Sequence, residues 1–171
     1  DEVITGFGRM GKPFATHKFN VKPDIITMAK ALTNGAIPMG GVAVTDEIYN
    51  TINDASPANA IEFFHGYTYS AHPAACAAGI ATQKLYQEEG LFEQAASMES
   101  YFLDAIWSLE DHPLVADIRG IGMMAGVEVH PGAAPGARGM EMQKAMFWNG
   151  LHIKWTGDNA IIAPAFIAER K

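Results

Sequence analysis

The apolar positions of this chain change period along its length, and the change divides it. Ile25-Ile26-Thr27-Met28 is a short, largely apolar run, β-branched at three positions and entered through Pro23-Asp24, which predicts a buried strand. Gly40-Gly41-Val42-Ala43-Val44 predicts a second strand, and Asp46 and Glu47 then place two acids in the first turn of a helix. Residues 30–39, rich in Gly, Asn and Pro, read as the loop between the strands. From Pro73 the chain is Ala-rich through Tyr86, with proline in the first turn of a predicted helix and Gly90 as its stop. Phe92, Ala95, Met98, Phe102, Ile106 and Leu109 then recur at three- and four-residue spacing, the stripe of an amphipathic helix.

The remainder alternates differently. Residues 115–118 and 123–129 read as strands around Gly120 and Gly122, and "HPGAAPGARG" reads as a connection to a helix over residues 140–148. Two short strands, 152–155 and 160–163, flank Gly157-Asp158-Asn159, a tight-turn signal. The expectation is an α/β portion over residues 1–90 and a smaller α+β portion over 91–171, with no internal repeat.

Charge and composition narrow the partners. Twelve basic residues stand against 19 acidic ones, for a net charge of −7 and no basic cluster, which argues against nucleic acid or an anionic membrane. No apolar run approaches the ~20 residues of a membrane span. The one cysteine, Cys76, excludes an intrachain disulfide and suits a reducing compartment such as the cytoplasm. The six histidines show no i,i+4 pair and no second soft ligand, so no zinc site is expected. Gly-x-Ser-x-Gly does not occur, and hydrolase chemistry has little support.

GFGRMG, residues 6–11, matches the dinucleotide fingerprint G-x-G-x-x-G letter for letter. That fingerprint needs a strand before it, a helix opening on its last glycine, and an acid at a strand end about 20 residues later. Lys12-Pro13 follows Gly11, and Asp24 precedes an apolar run instead of following one. The context fails, and the glycines read as loop punctuation.

Lys30 stands two positions beyond the first predicted strand, ahead of a stretch where no regular helix can settle. Ligands of α/β sheets bind just outside the carboxyl ends of strands, and a lysine held there can attack a carbonyl to form a Schiff base. A surface lysine at a strand end is the plainer alternative. Asp1, a carboxylate 29 positions earlier and just before the glycine loop, shifts the balance. A pyridine cofactor needs both an amine for the imine and an acid to keep its ring nitrogen protonated.

"DEVITGFGRMG", "PDIITMAKALTNGAIPMGGV", "FHGYTYSAHPAACAAG" and "DIRGIGMMAGVEV" together resemble the class III aminotransferases, pyridoxal-phosphate enzymes of fold type I. "TNGAIPMG" and "HGYTYSAHP" are most similar to the ω-amino acid–pyruvate group. The resemblance implies that residues 1–90 are the second half of a large cofactor-binding α/β domain and that 91–171 are a small C-terminal domain. It implies that Asp1 pairs with the pyridine nitrogen of pyridoxal 5′-phosphate and that Val3 packs on the ring. Lys30 would form the Schiff base and shuttle the substrate proton. Thr68 would reach the cofactor phosphate of the other subunit, so that a homodimer, or a tetramer of dimers, completes the site. The implied reaction carries an amino group from an ω-amino acid or amine to pyruvate or a similar keto acid.

The family's phosphate turn and ring-stacking aromatic lie upstream of the aspartate, so the expectation is a piece of a longer protein, without activity by itself. In "LHIKWTGDNAIIAP", Lys154 stands where many of these enzymes place an arginine for the substrate carboxylate. A related class III aminotransferase with another donor, or an aminomutase of the same fold, is the alternative within this architecture.

Overall fold

The computed structural model describes residues 1–60 and 65–170. The chain forms two compact units, Asp1–Gly8 with Lys12–Gly90, and Arg9–Gly11 with Leu91–Lys171. Among the described residues no helix is long and apolar enough to cross a membrane.

In the first unit, a single helical turn, α1 (Ala15–Lys18), precedes β1 (Ile25–Met28). β1 pairs antiparallel with β2 (Gly41–Val44), Ile25 opposite Val44 and Met28 opposite Gly41. The backbone N–H of Glu2 donates to the Thr27 carbonyl at 2.8 Å, so the opening residues run beside β1. The expectation of a buried strand is not met: Ile25 is 51% and Val42 66% exposed. The rest of β1 is half-buried, and Val44 of β2 is exposed as well. α2 (Asp46–Ala55) follows with Asp46 and Glu47 in its first turn.

α3 (Pro73–Glu88) begins with proline at its start and with the His72 imidazole Nδ1 accepting the Ala75 N–H at 3.4 Å. Its buried residues, Ala75, Gly79, Thr82 and Tyr86, are spaced by four, three and four, which is one helical face. That face packs on the 3-10 turn Lys30–Leu32.

The second unit is an antiparallel sheet against a helix. β3 (Val115–Ile121), β4 (Met124–Val129), β5 (Lys154–Thr156) and β6 (Asn159–Ile162) lie in the order β3-β4-β6-β5. Ala125, Val127 and Val129 alternate inward along β4. Ala125 and Val127 join Ile118, Ala160 and Ile106 of α4 (Leu91–Trp107) in the core. Ala95, Met98 and Met123 form a second cluster with Phe102 and Phe166.

Arg9 explains why three residues of the glycine loop belong here. Its guanidinium donates to the carbonyls of Met123 at 2.9 Å and Pro164 at 2.7 Å, and lies 4.5 Å from the centre of the Phe166 ring. Gly11 has φ +67°, and a Cβ there would sit 2.7 Å from that of Ala96. Close packing against α4 and the positive φ require glycine at the end of GFGRMG.

α5 (Ala137–Trp148) starts three residues before the predicted helix, and β5 and β6 lie slightly off the predicted ranges. One residue accounts for the helix start. Asp158, in the turn between β5 and β6, accepts the backbone N–H groups of Gly136 at 2.8 Å and Gly139 at 2.9 Å. It caps a helix about twenty positions away in the chain. Gly139 permits that approach, since a Cβ would collide with the Gly157 carbonyl oxygen. The Gly136 and then the Gly139 N–H hold the Asp158 carboxyl below the usual aspartate value.

Candidate active site

The site is built on the first unit around β1. Asp1 is exposed, and its Oδ1 accepts the Val3 N–H at 2.8 Å and the Thr27 hydroxyl at 3.2 Å. The carboxylate is thereby tied both to its own turn and to β1. Oδ2 has no hydrogen bond among the described residues, so it remains open to a further donor. Val3 is half-buried beside it.

Glu2 anchors this turn from beneath. It is 2% exposed and accepts the Thr5 hydroxyl, the Ala15 N–H at 3.0 Å and the Thr16 N–H at 2.8 Å. Burial pushes its pKa up, but the bonds from Thr5, Thr16 and Ala15 together outweigh it and leave the carboxyl below the usual glutamate value. The charged form is the one the fold binds. Its partners include the first amide of α1, the kind of group a helix N-terminus leaves unpaired.

Lys30 opens the 3-10 turn just past β1, with its side chain exposed and its backbone at φ +47°. The left-handed region costs a residue with a Cβ about 1–2 kcal/mol, and it persists where surrounding bonds fix it. Those bonds are present. The Lys30 carbonyl accepts the N–H groups of Thr33 at 3.3 Å and Gly35 at 3.2 Å. The Ala31 carbonyl accepts the Tyr86 hydroxyl at 2.8 Å, and the Leu32 carbonyl accepts Gln83 Nε2 at 3.2 Å. Thr33, 1% exposed, closes the following loop by donating to the Ile37 carbonyl at 2.6 Å.

β1 therefore carries a carboxylate tied at Thr27 and leads directly into an exposed amine at Lys30. Thr68 lies in the turn region after Tyr67, exposed, and shares no hydrogen bond with Asp1 or Lys30 among the described residues. Tyr67 has φ +49°, and its N–H donates to His65 Nδ1 at 3.0 Å. A cleft of about 480 Å³ opens beside this segment, lined by Pro38, Met39, Gly40, Tyr69, Ser70 and His72. Lys154 belongs to the second unit, exposed at the start of β5 opposite Ile161.

Sequence reasoning missed Glu2, Gln83 and Tyr86. Glu2 meets its partners 13 and 14 positions on, and Gln83 and Tyr86 reach back 51 and 55 positions. No local pattern marks such contacts.

Comparison with known proteins places the chain in a family. The family model described as aminotransferase class-III matches residues 1–171. The omega-aminotransferase of Caulobacter vibrioides is 52% identical over 99% of the chain, which spans 39% of that relative's length. The omega-amino acid–pyruvate aminotransferase of Pseudomonas putida is 42% identical over 97% of the chain, which spans 37% of it. Among solved structures, the omega transaminase of Pseudomonas jessenii in complex with PMP superposes with a TM-score of 0.92 at 33% identity. That match covers 99% of this chain and 39% of the other. The fold is that part of a fold type I transferase, and the chain belongs to the class III aminotransferases.

Proposed function

We propose that the protein of which this chain is part is a transaminase that moves an amino group from an ω-amino acid or amine to pyruvate or a similar keto acid. Class III aminotransferases depend on pyridoxal 5′-phosphate, and the residues here fit that group. Asp1 is held at Oδ1 with Oδ2 open to accept a bond from a protonated ring nitrogen. Lys30 presents an exposed amine on a backbone fixed by four hydrogen bonds to its turn's carbonyls. When bound, the cofactor supplies an aldehyde for the amino group and a ring that accepts electrons from the carbon losing its proton.

Each residue then has its own part. Asp1 keeps the ring nitrogen protonated, and Val3 covers one face of the ring. Lys30 Nζ would hold the cofactor covalently and would move the proton of the substrate carbon. Thr68 binds the phosphate in the partner subunit's site, which makes the working unit a homodimer or an assembly of dimers. Lys154 holds the acceptor carboxylate as a point charge. The lone cysteine suits work in the cytoplasm.

The observation that carries this reading is the joint placement of Asp1 and Lys30 about β1. Its test is net transfer: the full-length protein with pyridoxal phosphate, β-alanine or a simple amine, and pyruvate yields alanine. Rearrangement of an amino aldehyde with no alanine formed replaces this reading with an aminomutase.

A further inference from the structure

We propose that Tyr86 and Gln83 of α3 are positioning residues for the Lys30 amine, a role that rests on the reading of Lys30 above. A 3-10 turn leaves its last carbonyls without partners inside the turn. Here each has one. The Lys30 carbonyl is taken by backbone amides, whereas those of Ala31 and Leu32 are taken by Tyr86 and Gln83.

The two donors stand three positions apart on α3, on neighbouring turns of one face, as a pair of fixed reach requires. Tyr86 is 5% exposed, so its hydroxyl is a buried donor aimed from a rigid helix. Lys30 itself is at φ +47°, a conformation a lysine holds only when neighbouring bonds specify it. Removing either donor leaves a carbonyl beside Lys30 unpaired, and the turn is then free to relax toward ordinary backbone angles. The amine would project from a different place.

The contacts with α3 also serve stability, so the test needs a readout that stability alone does not move. In the full-length protein, Tyr86→Phe removes only the hydroxyl and Gln83→Met only the amide. The measurements are the rate at which pyridoxal phosphate becomes borohydride-trapped on Lys30, kcat and KM for the amine donor, and Tm.

One lost hydrogen bond of ordinary strength predicts a fall of about fivefold in both the labelling rate and kcat, with KM unchanged. Wild-type labelling rate and kcat in both variants, whatever the Tm, overturn the proposal and leave the contacts a purely structural task. Gln83 is only half-buried, so Gln83→Met carries the same test with the same outcomes if Tyr86→Phe does not fold. Wild-type label on a lysine other than Lys30 overturns the reading of the site and this inference with it. Label on Lys30 with unchanged variants overturns this inference alone.

Discussion

Glu2→Gln keeps the size of a buried side chain and removes its charge. The carboxylate accepts on both oxygens, from Thr16 N–H on Oε1 and from Ala15 N–H and the Thr5 hydroxyl on Oε2. Glutamine offers one oxygen and one NH2, so at least one backbone donor faces another donor. A hydrogen bond to a charged group contributes about 1.5–3 kcal/mol, and a buried unpaired donor costs a similar amount. Opening of this segment should therefore become roughly ten- to a hundredfold more frequent. Amide hydrogen exchange in the full-length protein reads this directly as faster exchange at Ala15 and Thr16.

The pH dependence has a definite sign. The folded Glu2 pKa lies below the ordinary value of 4.5. Its contribution is complete above the unfolded pKa and is lost as pH falls through the folded one. The gap between wild type and variant should stay constant from pH 7 to about 5 and shrink only below 4.5. Unchanged exchange at both amides, or a gap that closes near neutrality, would refute the anchoring argument.

Three further outcomes follow from the same structure. Lys154→Arg should lower the KM for pyruvate about tenfold and Lys154→Ala should raise it, since a fork makes two charge-assisted bonds where an ammonium makes one; unchanged kinetics in both would remove Lys154 from the site. Asp158→Ala should lower Tm and loosen the start of α5, an effect present above pH 3.8 and fading as pH falls through the depressed folded pKa; an equal Tm at pH 7 contradicts the cap. A polypeptide limited to residues 1–171 should associate through the exposed Val42, Val44 and Ile25 faces and bind pyridoxal phosphate weakly; a dilute monomer with a stable bound-cofactor absorption band contradicts that.

What sequence could show was local. Four β-branched or apolar letters mark β1, an apolar run after Gly120 and Gly122 marks β4, and three-four spacing marks α4, because each needs only neighbours in the chain. The start of α5 was hidden because Asp158 caps it from across a hairpin, and Pro/Gly-rich "HPGAAPGARG" looks like a connection when that partner is unseen. Burial of β1 was misjudged for a related reason. Apolar letters state what a strand is able to bury, not whether the same chain provides the cover. Asp1 and Lys30 stand out in the sequence as an acid and an amine, while the bonds to Thr27, Tyr86 and Gln83 beside them do not.

The place where the cofactor attaches tests the role of Lys30 most directly. The full-length protein should be mixed with pyridoxal phosphate, reduced with borohydride, digested and mapped. The pyridoxyl group is expected on Lys30, and Lys30→Ala should lose both the label and turnover. A label on Lys22 or Lys154, or none on the folded protein, contradicts the account.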